Sequence, residues 1–437
     1  MKKITLLLLM LLSGTGVFAQ GMFALFNRSE DFFKLLEEGK FTDAQNYFDP
    51  TLKDKVKIEE LQKLWSDLRT NLGEFELADP VKSKTEGEYF TVTVEAKFAR
   101  ATQAFLLAYN KEEKMVGFFL QPKSNAAVYL NPAYANPALY TEKNISVNTP
   151  GHELAAVLTV PAEGTNFPIV VLVHGSGPSD MDETMGPNKP FKDLAAGLAA
   201  KGIASIRYVK RTMVYAGEFS GVFTVKEETI DDAAAALKIA LQTPGVDKKQ
   251  VYILGHSLGG MLAPRIAALV PETKGIILAA APARKMVDIL IEQNQYLYDH
   301  SKDTTAQTKA QLDFALKALE QGRINQLGQL KADSVILGLP ASYWVDLNQY
   351  NQVEAAQKLN KRILVIQGEQ DFQVGVKDYE IWKAALDKKK NATLKLYPDL
   401  NHLLSSQVEK GDLRQYDSPS SVSETFINDI VAWIKGG

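Results

Sequence analysis

Hydrophobic positions along the chain follow different periods in successive stretches. Between residues 29 and 72, apolar residues recur at helical spacing, which predicts amphipathic helices, the first of them capped by Ser29. Over 75–122, apolar and polar residues alternate and β-branched and aromatic residues are frequent, which predicts an antiparallel meander. Helices followed by strands indicate a small α+β domain over 27–122, and the proline-punctuated stretch 123–143 predicts a linker.

From residue 144 onwards, short apolar runs alternate with stretches of helical period. Runs that are apolar throughout are typical of parallel strands buried on both faces. The predicted strands are 145–147, 154–160, 169–173, 204–208, 251–254, 275–280, 362–367 and 393–397. This order predicts an α/β fold over 144–437, with a leading antiparallel hairpin and then a mostly parallel sheet carrying helices on both faces.

The alternation is interrupted over 283–359, where the sequence is helical in period and rich in Gln and Leu. An insertion between two central strands must lie above the carboxyl edge of the sheet, where ligands bind in this class of fold. We therefore expect a helical cap. Its aromatic residues, among them Tyr343 and Trp344, either line a substrate pocket or pack the core of the cap itself.

The strongest chemical signal lies in 251–268. An apolar strand leads into Gly-His-Ser-Leu-Gly at 255–259, and a helix follows at once. Strand, sharp turn and helix form a nucleophile elbow, in which the glycines leave room for a strained turn. Gly, Ser and Gly are common residues, so it is this setting that gives the motif its meaning. We expect Ser257 to be a nucleophile and the N–H of Leu258 to face the carbonyl under attack.

A serine hydroxyl needs a general base, and that base needs a carboxylate that fixes its tautomer. The chain order Ser, Asp, His of such folds requires a histidine in a loop after the last strand, and His402 alone satisfies it. The five histidines are His152, His174, His256, His300 and His402. Asp371, in the turn after the strand 362–367, is the expected carboxylate, with Glu369 as the alternative and Asp399 as a weaker one.

An oxyanion needs two backbone N–H donors that are already in place. Leu258 supplies one, and the loop 174–178, His-Gly-Ser-Gly-Pro, is expected to supply the other. We expect that donor to be the N–H of Ser176, with Gly175 or Gly177 as alternatives. A phosphate-binding loop is the competing interpretation, but no Lys-Ser/Thr pair follows and no GxGxxG run is present.

The loop 210–223 also follows a central strand, so it is expected to form part of the substrate entrance. Its first two residues, Lys210 and Arg211, are adjacent cations that could receive a carboxylate carried by the substrate. The alternative is that both cations are solvated or pair with acidic residues of the loop 180–183.

Composition and charge add little to this chemistry. The chain has 437 residues, of which 46% are hydrophobic and 23% charged, as in ordinary soluble proteins of about two domains. A formal net charge of −3 and a pI near 6.1 give no reason to expect nucleic acid or an anionic membrane as partner. Cysteine is absent, so disulfides, thiolate nucleophiles, lipid-modified cysteines and Cys-ligated metals are excluded.

The N-terminus predicts the compartment. Lys2 and Lys3 precede the apolar run 4–12, and Val-Phe-Ala at 17–19 supplies small residues before a cleavage point. This pattern predicts a signal peptide over 1–19. The apolar run is too short to span a bilayer, so we expect an exported protein, periplasmic or secreted, with no membrane anchor after cleavage.

Four motifs carry a resemblance to a known family: the runs 174–178, 255–259, 368–371 and 401–402. Together they resemble the α/β-hydrolase superfamily, and more narrowly the exported bacterial esterases that have a small domain of unknown function ahead of the hydrolase. The resemblance covers 144–437 well and the N-terminal domain more loosely. It implies a serine carboxylesterase that forms an acyl-enzyme with a small-molecule ester and uses no cofactor. It implies neither the ester nor the oligomeric state.

The sequence departs from such esterases at 207–211. In those esterases an acidic residue often precedes the Lys-Arg pair, whereas in this chain the pair is preceded by Arg-Tyr-Val. Two other functions stay open: a peptidase or amidase with the same triad, and a non-catalytic binding protein on the same scaffold. Peptide cleavage by this fold usually comes with a large gating domain of repeated blades, which the sequence lacks. The filled triad positions argue against a binding protein.

Overall fold

The computed structural model describes residues 15–53, 55–86, 89–121, 129–301, 305–323, 328 and 330–436. The chain divides into two compact units, Met1–Asn125 and Ala126–Gly437. Most of the predicted signal peptide lies outside the described residues. Within the described ranges, no helix combines the length and the apolar character needed to cross a membrane.

The first unit has helices followed by an antiparallel meander, as the change of period predicts. Its helices are α1 (Thr15–Glu37), α2 (Phe41–Gln45), α3 (Pro50–Lys53) and α4 (Ile58–Leu72). Its strands, which pair in chain order, are β1 (Phe75–Glu86), β2 (Tyr89–Phe98), β3 (Ala101–Tyr109) and β4 (Met115–Leu120). The helices and one face of the sheet share a core rich in aromatic side chains.

The predicted helix start at Ser29 is wrong, because Ser29 lies inside α1. Its buried hydroxyl donates a hydrogen bond to the carbonyl oxygen of Leu25, one turn earlier, at 2.7 Å. The same oxygen lies 2.8 Å from the hydroxyl of Tyr109 on β3. A serine that bonds back to the preceding turn is compatible with a helix interior, so the polar residue does not mark a boundary here.

The second unit is built on an eight-stranded sheet. The strands of the unit are β5 (Tyr140–Thr149), β6 (His152–Pro161), β7 (Phe167–Val173), β8 (Ala204–Tyr208), β9 (Val246–His256), β10 (Gly275–Ala279), β11 (Val335–Ile336), β12 (Leu339–Pro340), β13 (Arg362–Gly368) and β14 (Ala392–Tyr397). The order in the large sheet is β14-β13-β10-β9-β7-β8-β6-β5, and β11 and β12 form a separate hairpin. Strands β5 and β6 pair antiparallel, β6 also pairs antiparallel with β8, and the other neighbours are parallel.

Helices cover both faces of this sheet, so the α/β class is confirmed. The helices are α5 (Pro190–Ala200), α6 (Arg211–Val214), α7 (Asp231–Gln242), α8 (Leu258–Leu269), α9 (Met286–Asp299), α10 (Ala306–Gln321), α11 (Ala341–Gln349), α12 (Gln352–Lys358), α13 (Val376–Leu386) and α14 (Glu424–Lys435). One core lies under α7, α8 and α13 and the other under α5 and α14. Neighbouring strand residues alternate between them, Val171 facing the first core and Leu172 the second.

The described part of the insertion 283–359 contains the helices α9 to α12 and the β11–β12 hairpin. Val287 of α9, Leu319 of α10 and Trp344 of α11 form a small core of their own. Tyr343 and Leu347 of α11 and Ala356 of α12 are buried in the main core on the α8 face of the sheet. The last two helices of the insertion therefore pack on the layered fold.

Candidate active site

Ser257 stands in the turn between β9 and α8, with φ 50° and ψ −118°. This backbone conformation is rare for a residue with a side chain. A Cβ at Gly255 would overlap the carbonyl group of Gly259, and one at Gly259 would overlap the carbonyl oxygen of Val173. The turn is held from the neighbouring strand, because the N–H of Ser257 donates to the carbonyl oxygen of Ala279 at 2.9 Å.

His402 and Asp371 lie together in loops at the carboxyl ends of β14 and β13. Nδ1 of His402 is 2.8 Å from Oδ2 of Asp371, and both side chains are buried. The other oxygen of Asp371 accepts the N–H groups of Gln373 and Val374 at 2.8 and 2.9 Å. With Nδ1 engaged by the carboxylate, Nε2 is the nitrogen of His402 that can accept a proton.

The two alternative carboxylates do not take this place. Glu369 and Asp399 are both exposed to solvent. Asp371 is fully buried and engages His402 directly. The roles of Ser257, His402 and Asp371 stay predictions, and the contact between His402 and Asp371 is the one that the base and the carboxylate of a Ser-His-Asp triad require.

The loop 174–178 lies against the nucleophile, because a methyl group added to Gly175 would come within 3.3 Å of the Cβ of Ser257. Two of its backbone N–H groups are already taken by carboxylates. Gly175 donates to Oε1 of Glu183 at 2.6 Å, and Gly177 donates to Oε1 of Glu228 at 2.9 Å. The N–H of Ser176 between them donates to no atom of the described residues. It is therefore the donor of this loop that can meet an oxyanion.

His256, the residue before the nucleophile, contacts His402. Its Nε2 donates to the carbonyl oxygen of His402 at 2.7 Å, and the two imidazole rings lie 4.7 Å apart. Its Nδ1 is 3.0 Å from Oε2 of Glu183. Burial by itself would lower the pKa of His256, but the charge and hydrogen bond of Glu183, the carbonyl of His402 and the charge of Asp371 together outweigh burial and raise that pKa. Burial would likewise raise the pKa of Glu183, but the charges of His256 and His174 and the hydrogen bonds from His256 and the N–H of Gly175 together lower it to about 2.

The interpretation that Lys210 and Arg211 could receive a carboxylate of the substrate is contradicted, because both cations are already paired with carboxylates of the protein. Lys210 is 2% exposed, and its Nζ bonds to Oε1 of Glu228 at 2.7 Å. Arg211 is 6% exposed, and its Nε bonds to Oδ2 of Asp232 at 3.2 Å. Neither cation is solvated or pairs with the loop 180–183. A buried cation must be paired, and each finds its carboxylate near the start of α7.

A cavity of about 430 Å³ extends from Ser176 and Gly177 towards the cap. Both Tyr343 and Trp344 border it, and both are also almost fully buried. They therefore line a pocket and pack the protein at the same time. The other large apolar side chains of its wall are Phe219, Phe223, Met286, Leu290 and Leu339. Its volume and apolar lining suit a small organic group.

Sequence reasoning missed Glu183 and Glu228. Nothing in their local sequence separates them from solvated loop or helix carboxylates. Glu183 has φ 54°, and a glutamate in the sequence gives no indication of such a positive φ. Within the described residues, no three His, Asp or Glu side chains are grouped as metal ligands.

Comparison with known proteins now identifies the family. Residues 166–409 match the family model described as "Serine aminopeptidase, S33", and residues 29–118 match "Protein of unknown function (DUF3887)". Esterase EstD of Thermotoga maritima is 34% identical over 403 residues, which are 92% of this chain and 93% of that protein. The chain belongs to the α/β-hydrolase family. The resemblance drawn from its motifs is thereby confirmed.

Solved structures similar to this α/β-hydrolase include two esterases. Est1E from Butyrivibrio proteoclasticus is 16% identical, with 67% of this chain and 99% of that chain covered and a TM-score of 0.44. The hyperthermophilic esterase from the archaeon Pyrobaculum calidifontis is 18% identical, with 69% of this chain and 88% of that chain covered and a TM-score of 0.43.

Proposed function

We propose that this α/β-hydrolase is a serine carboxylesterase that cleaves a small-molecule ester through an acyl-enzyme on Ser257. The observation that carries the activity is its similarity to Esterase EstD along nearly the whole of both chains. The buried His402–Asp371 pair and the strained elbow at Ser257 support the mechanism.

In the acylation step, Nε2 of His402 accepts the proton of the Ser257 hydroxyl while Oγ attacks the ester carbonyl carbon. Asp371 keeps the imidazole in the required tautomer and stabilises the imidazolium that forms. The N–H groups of Ser176 and Leu258 bind the oxyanion of the tetrahedral intermediate. Collapse of that intermediate breaks the bond to the leaving oxygen, which takes the proton from His402 and departs as an alcohol.

In the second step a water molecule takes the place of the alcohol. His402 accepts a proton from this water, and the resulting hydroxide attacks the acyl carbon bound to Ser257. The same two N–H groups bind the second oxyanion. When it collapses, Oγ of Ser257 leaves with the proton held by His402, and the carboxylic acid is released.

An aminopeptidase reaction is the second candidate, because the matching family model bears that description. Such an enzyme needs a carboxylate that binds the ammonium group of its substrate. In the described part of the chain, Glu228 is the one carboxylate that borders the cavity, and Lys210 already neutralises it. An apolar cavity without free charge favours the acyl or alcohol part of a neutral ester.

Two measurements test the proposed function. A fluorophosphonate should label the wild-type protein at Ser257 and should not label Ser257→Ala, because the probe phosphonylates an activated serine. Short p-nitrophenyl esters should be hydrolysed with a kcat/KM about 100-fold or more above that of aminoacyl p-nitroanilides. Labelling without ester turnover would exclude the esterase, and faster turnover of the anilides would favour the aminopeptidase.

We also propose that the protein is exported, and two lysines followed by an apolar run and a small-residue cleavage point support this. Bacterial cells that produce the full chain should release it into the periplasm or medium. Mass spectrometry of the recovered protein should give a chain that begins at Gln20. Recovery of a full-length chain from the cytoplasm alone would contradict the proposal.

A further inference from the structure

A buried ion pair forms hydrogen bonds to the backbone on both sides of Ser176. Nζ of Lys210 donates to the carbonyl oxygen of Gly175 at 2.7 Å, and Oε1 of Glu228 accepts the N–H of Gly177 at 2.9 Å. Lys210 and Glu228 also bond to each other at 2.7 Å. Both side chains are nearly inaccessible, with relative exposures of 2% and 3%.

The bond to Gly175 acts directly on the proposed oxyanion donor. The carbonyl of Gly175 and the N–H of Ser176 belong to one planar trans peptide unit, so the two groups point in opposite directions. Fixing the oxygen on Lys210 therefore fixes the direction of the N–H. The positive charge on the oxygen side also polarises the peptide, which makes its N–H a stronger donor.

The same ion pair reaches the cap. The hydroxyl of Tyr343, on α11, donates to Oε2 of Glu228 at 2.6 Å, and Tyr343 borders the apolar cavity. Burial by itself would raise the pKa of Glu228, but the charge of Lys210 and the hydrogen bonds from Lys210, Tyr343 and Gly177 together outweigh burial and lower that pKa. Glu228 therefore stays an acceptor for all three donors.

We propose that Lys210 and Glu228 are positioning residues for the oxyanion hole, and that Tyr343 links the position of the Ser176 N–H to the cap. The inference rests on the proposed function, because this N–H matters to catalysis only if an oxyanion forms next to it. A donor aimed at a charge that exists only in the transition state contributes to kcat and little to substrate binding. Loss of the positioning should therefore lower kcat and leave KM nearly unchanged.

The double variant Lys210→Met/Glu228→Gln is the main test. It removes both charges together, which avoids the cost of leaving one of them buried without a partner. A glutamine can still accept the N–H of Gly177. With a short neutral p-nitrophenyl ester we expect kcat to fall by about 10-fold or more, because complete loss of an oxyanion donor costs about 100- to 1,000-fold. Inhibition by a trifluoromethyl ketone, which forms a tetrahedral adduct, should weaken by a similar factor.

Two single variants sharpen the test. Tyr343→Phe removes one hydrogen bond and no charge, so it should lower kcat by a smaller factor and leave KM nearly unchanged. Glu228→Gln has a matched control in Asp232→Asn, four residues further along the chain. Asp232 is also buried and ion-paired, but it contacts Arg211 and Thr149 instead of the loop 174–178.

If the two substitutions only destabilise the fold, the thermal midpoints of Glu228→Gln and Asp232→Asn should both fall. The positioning role predicts in addition that kcat falls in Glu228→Gln and not in Asp232→Asn. Asp232→Asn should keep kcat within about twofold of wild type. The inference is overturned if the double variant keeps wild-type kcat and ketone inhibition, or if Asp232→Asn loses as much kcat as Glu228→Gln. If wild type neither hydrolyses esters nor labels at Ser257, the proposed function fails as well.

Discussion

At the scale of single residues, Ser257 shows how the fold maintains a strained nucleophile. Its positive φ is held by a hydrogen bond to Ala279 and by glycines at the two positions where a Cβ would meet backbone carbonyl groups. None of these contacts uses the hydroxyl group. The side chain should therefore be removable without loss of the turn that presents it.

Ser257→Ala tests this separation of chemistry from structure. We expect kcat on p-nitrophenyl esters to fall by about 10⁴-fold or more, because loss of a triad nucleophile leaves only residual catalysis. The thermal midpoint should change by about 2 °C or less, since a partly exposed hydroxyl contributes little to stability. A variant that keeps more than about a tenth of wild-type kcat would show that another residue is the nucleophile.

The Glu183–His256 pair gives stability a particular pH dependence. The folded-state pKa of His256 lies above its ordinary 6.5, so its contribution is complete below that pH and is lost as pH rises through the raised pKa. The pKa of Glu183 falls from 4.5 to about 2, so its contribution is complete above 4.5 and is lost as pH falls towards 2. The pair therefore stabilises the fold most between these two ordinary values.

Glu183→Gln should reveal this window, because it removes the charge while an amide oxygen can still accept the N–H of Gly175. The difference in unfolding free energy between wild type and variant should be largest near about pH 6 and should shrink by about pH 9. Urea unfolding at both pH values measures it. Burial lowers the pKa of His174 to about 4, against an opposing effect of the Glu183 charge, so removal of Glu183 lowers that pKa further. Folded His174 is therefore neutral at both pH values in both proteins, and its contribution cancels in the difference. A difference that is constant or grows with pH would contradict the assignment.

At the scale of elements, the cavity is built by segments that are far apart in the chain. The loop after β8 contributes Phe219 and Phe223, α9 contributes Met286 and Leu290, and α11 contributes Trp344. Rings of the loop and the cap touch directly, because Phe223 and Tyr343 lie 5.6 Å apart in an edge-to-face arrangement. The loop 210–223 thus takes part in the pocket through its aromatic residues instead of its cations.

Leu290→Trp should narrow this cavity. Leu290 is only partly buried, and the space of about 430 Å³ beside it can receive an indole ring. We expect kcat/KM for octanoate esters to fall by about 10-fold relative to acetate esters, since pocket volume selects among acyl or alcohol chains. The control is Phe314→Trp, which adds bulk at a cap position that is 71% exposed and outside the cavity wall. An unchanged chain-length profile in Leu290→Trp would show that the cavity holds no part of the ester.

At the scale of the whole molecule, the two units have separate hydrophobic cores. The first is centred on aromatic residues such as Phe32, Phe33 and Trp65 of its helices. The second lies on the two faces of the eight-stranded sheet. Each unit is long enough to bury a core of its own. All the residues proposed for catalysis belong to the second unit.

A chain that begins at residue 126 should therefore fold and hydrolyse short esters. We expect its kcat to be within about threefold of the full-length value, because triad, oxyanion loop and cavity are all retained. Near-UV circular dichroism and ester turnover measure the two properties. Aggregation of this fragment, or a folded fragment without activity, would show that the first unit is required for the second to function.

Much of the site follows from the sequence because its signals are local. The elbow needs glycines two residues before and two residues after Ser257, and the sequence has a glycine at each of these positions. The small number of histidines and the chain order of the fold then single out His402, and Asp371 follows a buried strand. Changes of hydrophobic period likewise separate the α+β unit from the α/β unit, because burial of one face imposes a period on each element.

Only the tertiary structure decided which charged residues are buried and with which partners. Charged residues of this kind are typical of solvated loops and helix starts, yet four of them form close ion pairs inside the second unit: Lys210, Arg211, Glu183 and Glu228. Their partners come from segments up to tens of residues away, and no period records such a pairing. Hydrophobic periodicity reports which face of an element is covered, whereas the partner of a buried charge depends on how separate elements meet in space.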